Sequence, residues 1–207
     1  MLIYIIIFAA IAARFVPHMP NFAPITALAI FSAANMGWKK SVGLTLAVRL
    51  ISDIFLGFFA WPLMLAVYAS HLVGILFGLW IKKSTTPSRQ GGTPLLFQEG
   101  NTAVAVSPPK IGGVRHEVTG GGMNQWAKII ASSLGASIVF FLVTNFAFLY
   151  SGYSHNIAGI TSAYVNGLPF FRGTLFGDLG YSVALFGAYE FARFLAFQKS
   201  KLLTSNS

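Results

Sequence analysis

Residues 44–60 read LTLAVRLISDIFLGFFA, an apolar run broken near its middle by Arg49 and Asp53. As a helix the run has nearly the length of a membrane span, and at the centre of a span each charge costs about 2.5–3.5 kcal/mol on insertion scales. Charges at i and i+4 share one helix face, where they either pair with each other or line a common cavity. The basic residue comes first, the weaker order for a helical ion pair. A neutralised pair that only locks helix packing and a polar functional site both fit these residues.

The rest of the chain has the same apolar character. Of 207 residues, 55% are hydrophobic and 9% charged, with a mean hydropathy of +0.68, whereas soluble domains carry about a quarter charged residues. The length accommodates about six spans of some 20 residues. The expected fold is therefore all-α, an integral membrane bundle of six transmembrane helices. The formal charge of +9 arises from 14 Lys and Arg against 5 Asp and Glu. Most basic residues fall between apolar runs, where they set membrane orientation, so membrane lipid rather than nucleic acid is the expected partner. No cysteine occurs, which removes disulfides, thiolate nucleophiles and thiolate metal sites.

Residues 1–83 hold four predicted helices. The first lies within 1–17, where Ala9 and Ala13 form a small-xxx-small pair suited to close helix contact. Three prolines then break the chain at Arg14-Phe15-Val16-Pro17-His18-Met19-Pro20-Asn21-Phe22-Ala23-Pro24, which reads as a rigid loop at a membrane surface. Arg14, His18 and Asn21 supply a cation, a titratable ring and an amide there, as ligand contacts or as interfacial anchors. Spans follow at 23–38, ending on Trp38-Lys39-Lys40, at 44–60, and at 62–81. The last of these carries Ala66, Ser70, Gly74 and Gly78 at four-residue spacing, with His71 beside them.

Residues 84–125, with GGTPLL, SPPKIGG and TGGG, lack any helical or strand period and read as a disordered cytoplasmic loop or insertion. No phosphate-loop pattern occurs among their glycines. Residues 126–201 hold the fifth and sixth helices of the same membrane domain, and 202–207 form a tail. The fifth span, 126–150, contains Asn145, whose amide needs partners from another helix, water or a ligand. Residues 151–173 read as a long loop, a lid or a re-entrant segment, in which Tyr153, His155, Asn156, Tyr164, Asn166 and Arg172 face either a ligand or the interface. The sixth span, 174–197, carries Gly180, Ala184, Ala188, Ala192 and Ala196 as a predicted packing seam. Asp178 falls in its first predicted turn, where capping competes with a site role. Glu190 and Arg193 are spaced to pair.

Counted along alternating spans, Lys39, Lys40, Lys82, Lys83, Lys128, Lys199 and Lys201 fall on one side, and Arg14 and Arg172 on the other. This asymmetry predicts cytoplasmic termini and an outward position for Arg14, His18, Asn21, Asp53, Asn145, Arg172 and Asp178. With Arg49, these are the candidate solute-binding residues. The absence of GxSxG and HExxH argues against an enzyme, and no metal or cofactor is expected.

The stretch from Arg14 to Pro24, Ser52-Asp53, Gly167-Leu168-Pro169-Phe170-Phe171-Arg172-Gly173-Thr174 and Gly177-Asp178 resemble an uncharacterised bacterial membrane protein family placed near the S components of energy-coupling factor transporters. The resemblance covers nearly the whole chain except 84–125. It implies an S-component-like bundle in the bacterial inner membrane, multi-pass with both termini cytoplasmic. The implied role is capture of a vitamin-like solute or other micronutrient from outside for a transmembrane coupling subunit with two ATPases. It also implies docking of that subunit through an AxxxA motif, matched by Ala9 and Ala13 and equally by Ala29 and Ala33. The competing expectation is a stand-alone secondary transporter or proton-coupled carrier using Asp53, His71 or Asp178. On the first of these, Asp53→Ala is expected to abolish solute binding without disturbing insertion.

Overall fold

The structure, a computed structural model, describes residues 2–13, 22–85 and 121–205. Arg14, His18 and Asn21 lie outside the described residues, as do 86–120 of the glycine-rich stretch and 206–207 of the tail. The described chain is all-α, with six helices: α1 (Leu2–Ala13), α2 (Ile25–Met36), α3 (Trp38–Leu56), α4 (Trp61–Thr85), α5 (Gly121–Thr144) and α6 (Ile157–Ser205). Two segments, Trp61–Lys83 and Asn124–Thr144, are long and apolar enough to cross a membrane, while α1 and α2 are shorter apolar helices.

α2 is the centre of the bundle. Every residue from Ile25 to Ala33 is buried, because α2 packs against α4, α3 and α6, with α1 on its flank. α5 joins α4 to α6 on the far side. Phe31 inserts its ring edge-on between Phe186 and Tyr189 of α6, with centroids 5.2 and 5.8 Å away. α4 approaches α2 closely through small residues, for Ser70, Gly74 and Gly78 are buried and Ala66 is half-buried on that side.

Several boundaries depart from expectation. α2 stops at Met36 and α3 starts at Trp38, since Gly37 takes φ 83°, a conformation that glycine adopts without penalty. Within the new helix, Ser41 donates its hydroxyl back to the Gly37 carbonyl at 2.7 Å. α3 ends at Leu56 rather than at residue 60, where Gly57 takes φ 99° and donates its N–H to the Asp53 carbonyl at 2.9 Å. Trp61-Pro62 opens α4 instead of closing α3; proline in a first helical turn loses no intrahelical bond. α5 stops at Thr144, short of residue 150, and the Tyr150 hydroxyl donates to the freed Thr144 carbonyl at 2.6 Å.

The largest correction concerns residues 151–173. Only 151–156 are non-helical; from Ile157 the chain is the first third of α6. Asn156 is the cap: its Oδ1 accepts the Gly159 N–H at 2.9 Å and the Ser154 hydroxyl at 2.9 Å. Pro169 sits inside the helix, where it has no N–H to give the carbonyl one turn back. Asp178 is consequently a mid-helix residue and not an N-terminal cap. We expect Asn156→Ala to cost about 1 kcal/mol and to fray the start of α6, read as faster hydrogen exchange at Gly159 and Ile160 with little change beyond Pro169.

The α6 stripe also differs from its expected role. Gly180, Ala184, Ala188 and Ala196 are exposed and Ala192 only half-buried, so this face does not pack against the other described residues. Glu190 accepts from Gln125 at 3.2 Å and Arg193 lies over the Tyr189 ring at 5.6 Å, rather than pairing with each other.

Candidate functional site: an interhelical cavity walled by Arg49

Arg49 and Asp53 sit on the inner face of α3, with relative exposures of 8% and 2%. They pair, Arg49 Nη2 to Asp53 Oδ1 at 2.9 Å. The other carboxylate oxygen accepts the Tyr68 hydroxyl at 2.9 Å, so α4 holds Asp53 from behind. The guanidinium is flanked by the rings of Phe59 and Tyr68, 5.5 and 5.8 Å from their centroids. Among the described residues its Nε is buried with no hydrogen-bond partner, as is the Thr45 hydroxyl one turn earlier. Leaving a buried donor unmet costs about 1–3 kcal/mol, more when it is charged.

Arg49 forms part of the wall of two cavities. The larger, about 530 Å³, is bounded by Arg49 and Phe59, by Leu63 and Val67 of α4, by Phe140 and Thr144 of α5, by Asn145, Tyr150 and Tyr153 of the connection, and by Ala163, Asn166, Gly167 and Phe170 of α6. The smaller, about 120 Å³, is bounded by Ala23, Ile25, Thr26, Arg49, His71, Phe140, Thr174 and Asp178. The larger falls within the 300–1,000 Å³ range of small-molecule sites.

The α5–α6 connection shapes one end of the larger cavity. Asn145 donates from Nδ2 to the Phe141 carbonyl at 2.9 Å, and its amide oxygen faces Gly167, where any Cβ would collide with it. Glycine at 167 therefore lets α6 close on the end of α5. Asn166 Nδ2 donates to the Tyr153 hydroxyl at 3.1 Å, and Tyr164 donates to the Leu142 carbonyl at 2.9 Å. Burial, with the neighbouring Tyr153 adding to it, raises the Tyr150 phenol above its usual value, so it stays a neutral donor. His155 is exposed and stacks on Phe148 at 4.3 Å.

In the smaller cavity Asp178 is buried, and its Oδ2 accepts the Ser137 hydroxyl at 2.7 Å, with the Thr26 hydroxyl on the same carboxylate. His71 bonds the Val67 carbonyl through Nδ1 at 2.7 Å and meets Phe140 edge-on at 5.3 Å.

The candidate residues thus separate. Arg49 and Asn145 line the larger cavity, and Asp178 lines the smaller one with Arg49. Asp53 lines neither and instead positions Arg49. Arg172 is exposed on α6 and borders neither cavity. Ala9 is exposed and Ala13 half-buried, whereas Ala29 and Ala33 are fully covered within the bundle. Phe59, Phe140, Tyr150 and Ala163 were not singled out from sequence, and Gly167 and Phe170 stood out there only within the stretch that carries the family resemblance. Aromatic and small residues carry no signal of cavity lining in so apolar a chain. Among the described residues no group of three or more His, Cys, Asp or Glu is placed to hold a metal ion.

A protein-family model described as a family of unknown function, DUF6580, matches residues 1–97 and 111–201. The break between its two matched parts falls inside the glycine-rich stretch. No curated protein and no solved structure matches the chain.

Proposed function

This chain belongs to the DUF6580 family, a family of unknown function, and from its cavity we propose that it is a multi-pass membrane protein that binds a small solute between α3, α4, α5 and α6. The observation that carries this function is a cavity of about 530 Å³ walled by a buried cation whose Nε lacks an acceptor. Membrane embedding is supported by large apolar side chains turned outward, among them Ile54, Phe55, Leu65, Leu76, Phe176 and Phe191, each more than half exposed. Water disfavours so extensive an apolar surface, while lipid accepts it.

The bundle lies in a bacterial inner membrane with both termini cytoplasmic and takes the solute from outside, as the likeness to energy-coupling factor S components suggests. In that role a transmembrane coupling subunit with two ATPases completes uptake. Ala9 and Ala13 then provide the docking face, because Ala29 and Ala33 are already covered by α4. Asp178 and His71 in the smaller cavity favour a second function, a stand-alone carrier in which a buried carboxylate relays protons. Solute uptake by the protein alone in liposomes distinguishes that carrier from a subunit that needs partners.

The solute-binding function is tested by purifying the protein in mild detergent and identifying retained small molecules by mass spectrometry. Ala163 is buried on the cavity wall, so Ala163→Trp should fill the space and reduce the retained solute at least tenfold. Ala184→Trp, on the exposed face of α6, should retain it. Equal retention by the two variants, or nothing retained above the detergent background by the unaltered protein, overturns the function.

A further inference from the structure

We infer that the solute is an aromatic carboxylate of two or three rings, with Arg49 as its recognition cation; this rests on the solute-binding function proposed above. Among the described residues, Arg49 is the one formally charged side chain on the wall of the larger cavity. Its counter-charge, Asp53, is held off that wall by the Tyr68 hydroxyl. The ion pair therefore presents its positive end to the hollow, and an anion entering there meets attraction with no carboxylate facing it among the described residues.

The guanidinium also has donors to spare. It carries five N–H groups in a planar fork, of which Asp53 engages one through Nη2 and the Tyr68 hydroxyl another, while Nε is buried and unpartnered among the described residues. A carboxylate presents two acceptor oxygens at the spacing of that fork. The flanking rings of Phe59 and Tyr68 keep the fork from turning away. The side chain is 91% buried, and among the described residues nothing supplies an acceptor for its Nε.

The remaining walls select the body of the molecule. Phe140, Phe170 and Tyr153 offer ring faces and edges, and Asn166 and Thr144 offer neutral hydrogen bonds, so an uncharged planar body fits. A cavity of about 530 Å³ would be left mostly empty by one ring. A zwitterion is disfavoured because Asp178, the carboxylate that would receive its cationic end, lines the separate smaller cavity and is engaged by Ser137 and Thr26.

The test is competitive equilibrium dialysis of the purified protein against matched pairs, benzoate with benzamide, 2-naphthoate with 2-naphthamide, and anthracene-2-carboxylate with its amide, read by mass spectrometry. The two- and three-ring carboxylates should be retained at least tenfold over their amides, and benzoate less than either. Arg49→Gln alone strands Asp53 at a cost in stability, so the informative variant is Arg49→Gln with Asp53→Asn, which keeps the charge balance and should lose the carboxylate preference. Amides held as well as carboxylates by the unaltered protein, or a preference that survives in the double variant, overturns the inference and leaves solute binding standing. Retention of no probe, together with no co-purified solute, overturns both.

Discussion

Gly78→Ala should destabilise the bundle more than any other single-methyl addition in α4. A Cβ at this position would collide with the Ile30 carbonyl oxygen and lie 2.7 Å from Ala33 Cβ. Neither obstacle is the end of a flexible side chain, and both belong to α2, whose residues 25–33 are buried throughout. Relief requires moving α2 as a body, which disturbs its contacts with α3 and α6 as well. Overpacking of this kind costs about 1–3 kcal/mol where side chains can shift, and backbone obstruction places Gly78→Ala at the top of that range or above. In a chain of this size the midpoint of thermal unfolding should fall by about 10 °C. Size-exclusion chromatography after heating in detergent gives the midpoint. Gly74→Ala should cost less, since its added carbon would meet Ala29 Cβ at 3.4 Å. Gly180→Ala has open space around it and should be neutral or gain up to about 1 kcal/mol from lower backbone entropy in the unfolded chain. A Gly78→Ala protein that melts with the unaltered one would show that α2 and α4 do not meet as described.

The two small-residue stripes show where sequence ceases to be informative. Ala66, Ser70, Gly74 and Gly78 on α4 and Gly180, Ala184, Ala188, Ala192 and Ala196 on α6 have the same spacing, yet one is a packed contact and the other an outer face. Spacing says which residues share a face of a helix, not what lies opposite. Turn chemistry misled in a similar way at Asn166-Gly167-Leu168-Pro169, which reads as a loop. Gly167 is there to admit Asn145, and α6 runs on through Pro169. Asn156 is a cap although it reads equally well as a ligand contact, because an amide serves either end. The all-α class and the apolar character of α4 and α5 were legible, since both rest on composition summed over many residues. Arg49 and Asp53 stood out because charge in an apolar run is rare. Phe59 and Phe140 did not, being two among 20 phenylalanines that differ only in what surrounds them after folding.

Asp53 and Arg49 should prove unequal partners when each is removed. Asp53→Ala leaves the Arg49 guanidinium buried with its Nη2 acceptor gone and frees the Tyr68 hydroxyl. Breaking a buried ion pair from one side costs about 3–5 kcal/mol, because the remaining charge is dehydrated without compensation. The protein should therefore lose stability as well as solute, whereas the expectation from sequence is loss of solute with insertion undisturbed. Asp53→Asn keeps an acceptor oxygen for Arg49 and should lose less. Arg49→Met with Asp53→Leu removes both charges together and should recover most of the stability, since an apolar pair of similar volume needs no dehydration in the bundle. The difference between the sum of the single losses and the double loss measures their coupling. Solute retention should divide the variants along another line. Asp53→Asn retains the cation on the cavity wall and should still bind, whereas the Arg49→Met, Asp53→Leu protein should be folded and empty. If the folded double variant retained solute as the unaltered protein does, Arg49 would be a structural charge and the cavity's ligand would be held by its amides and rings alone.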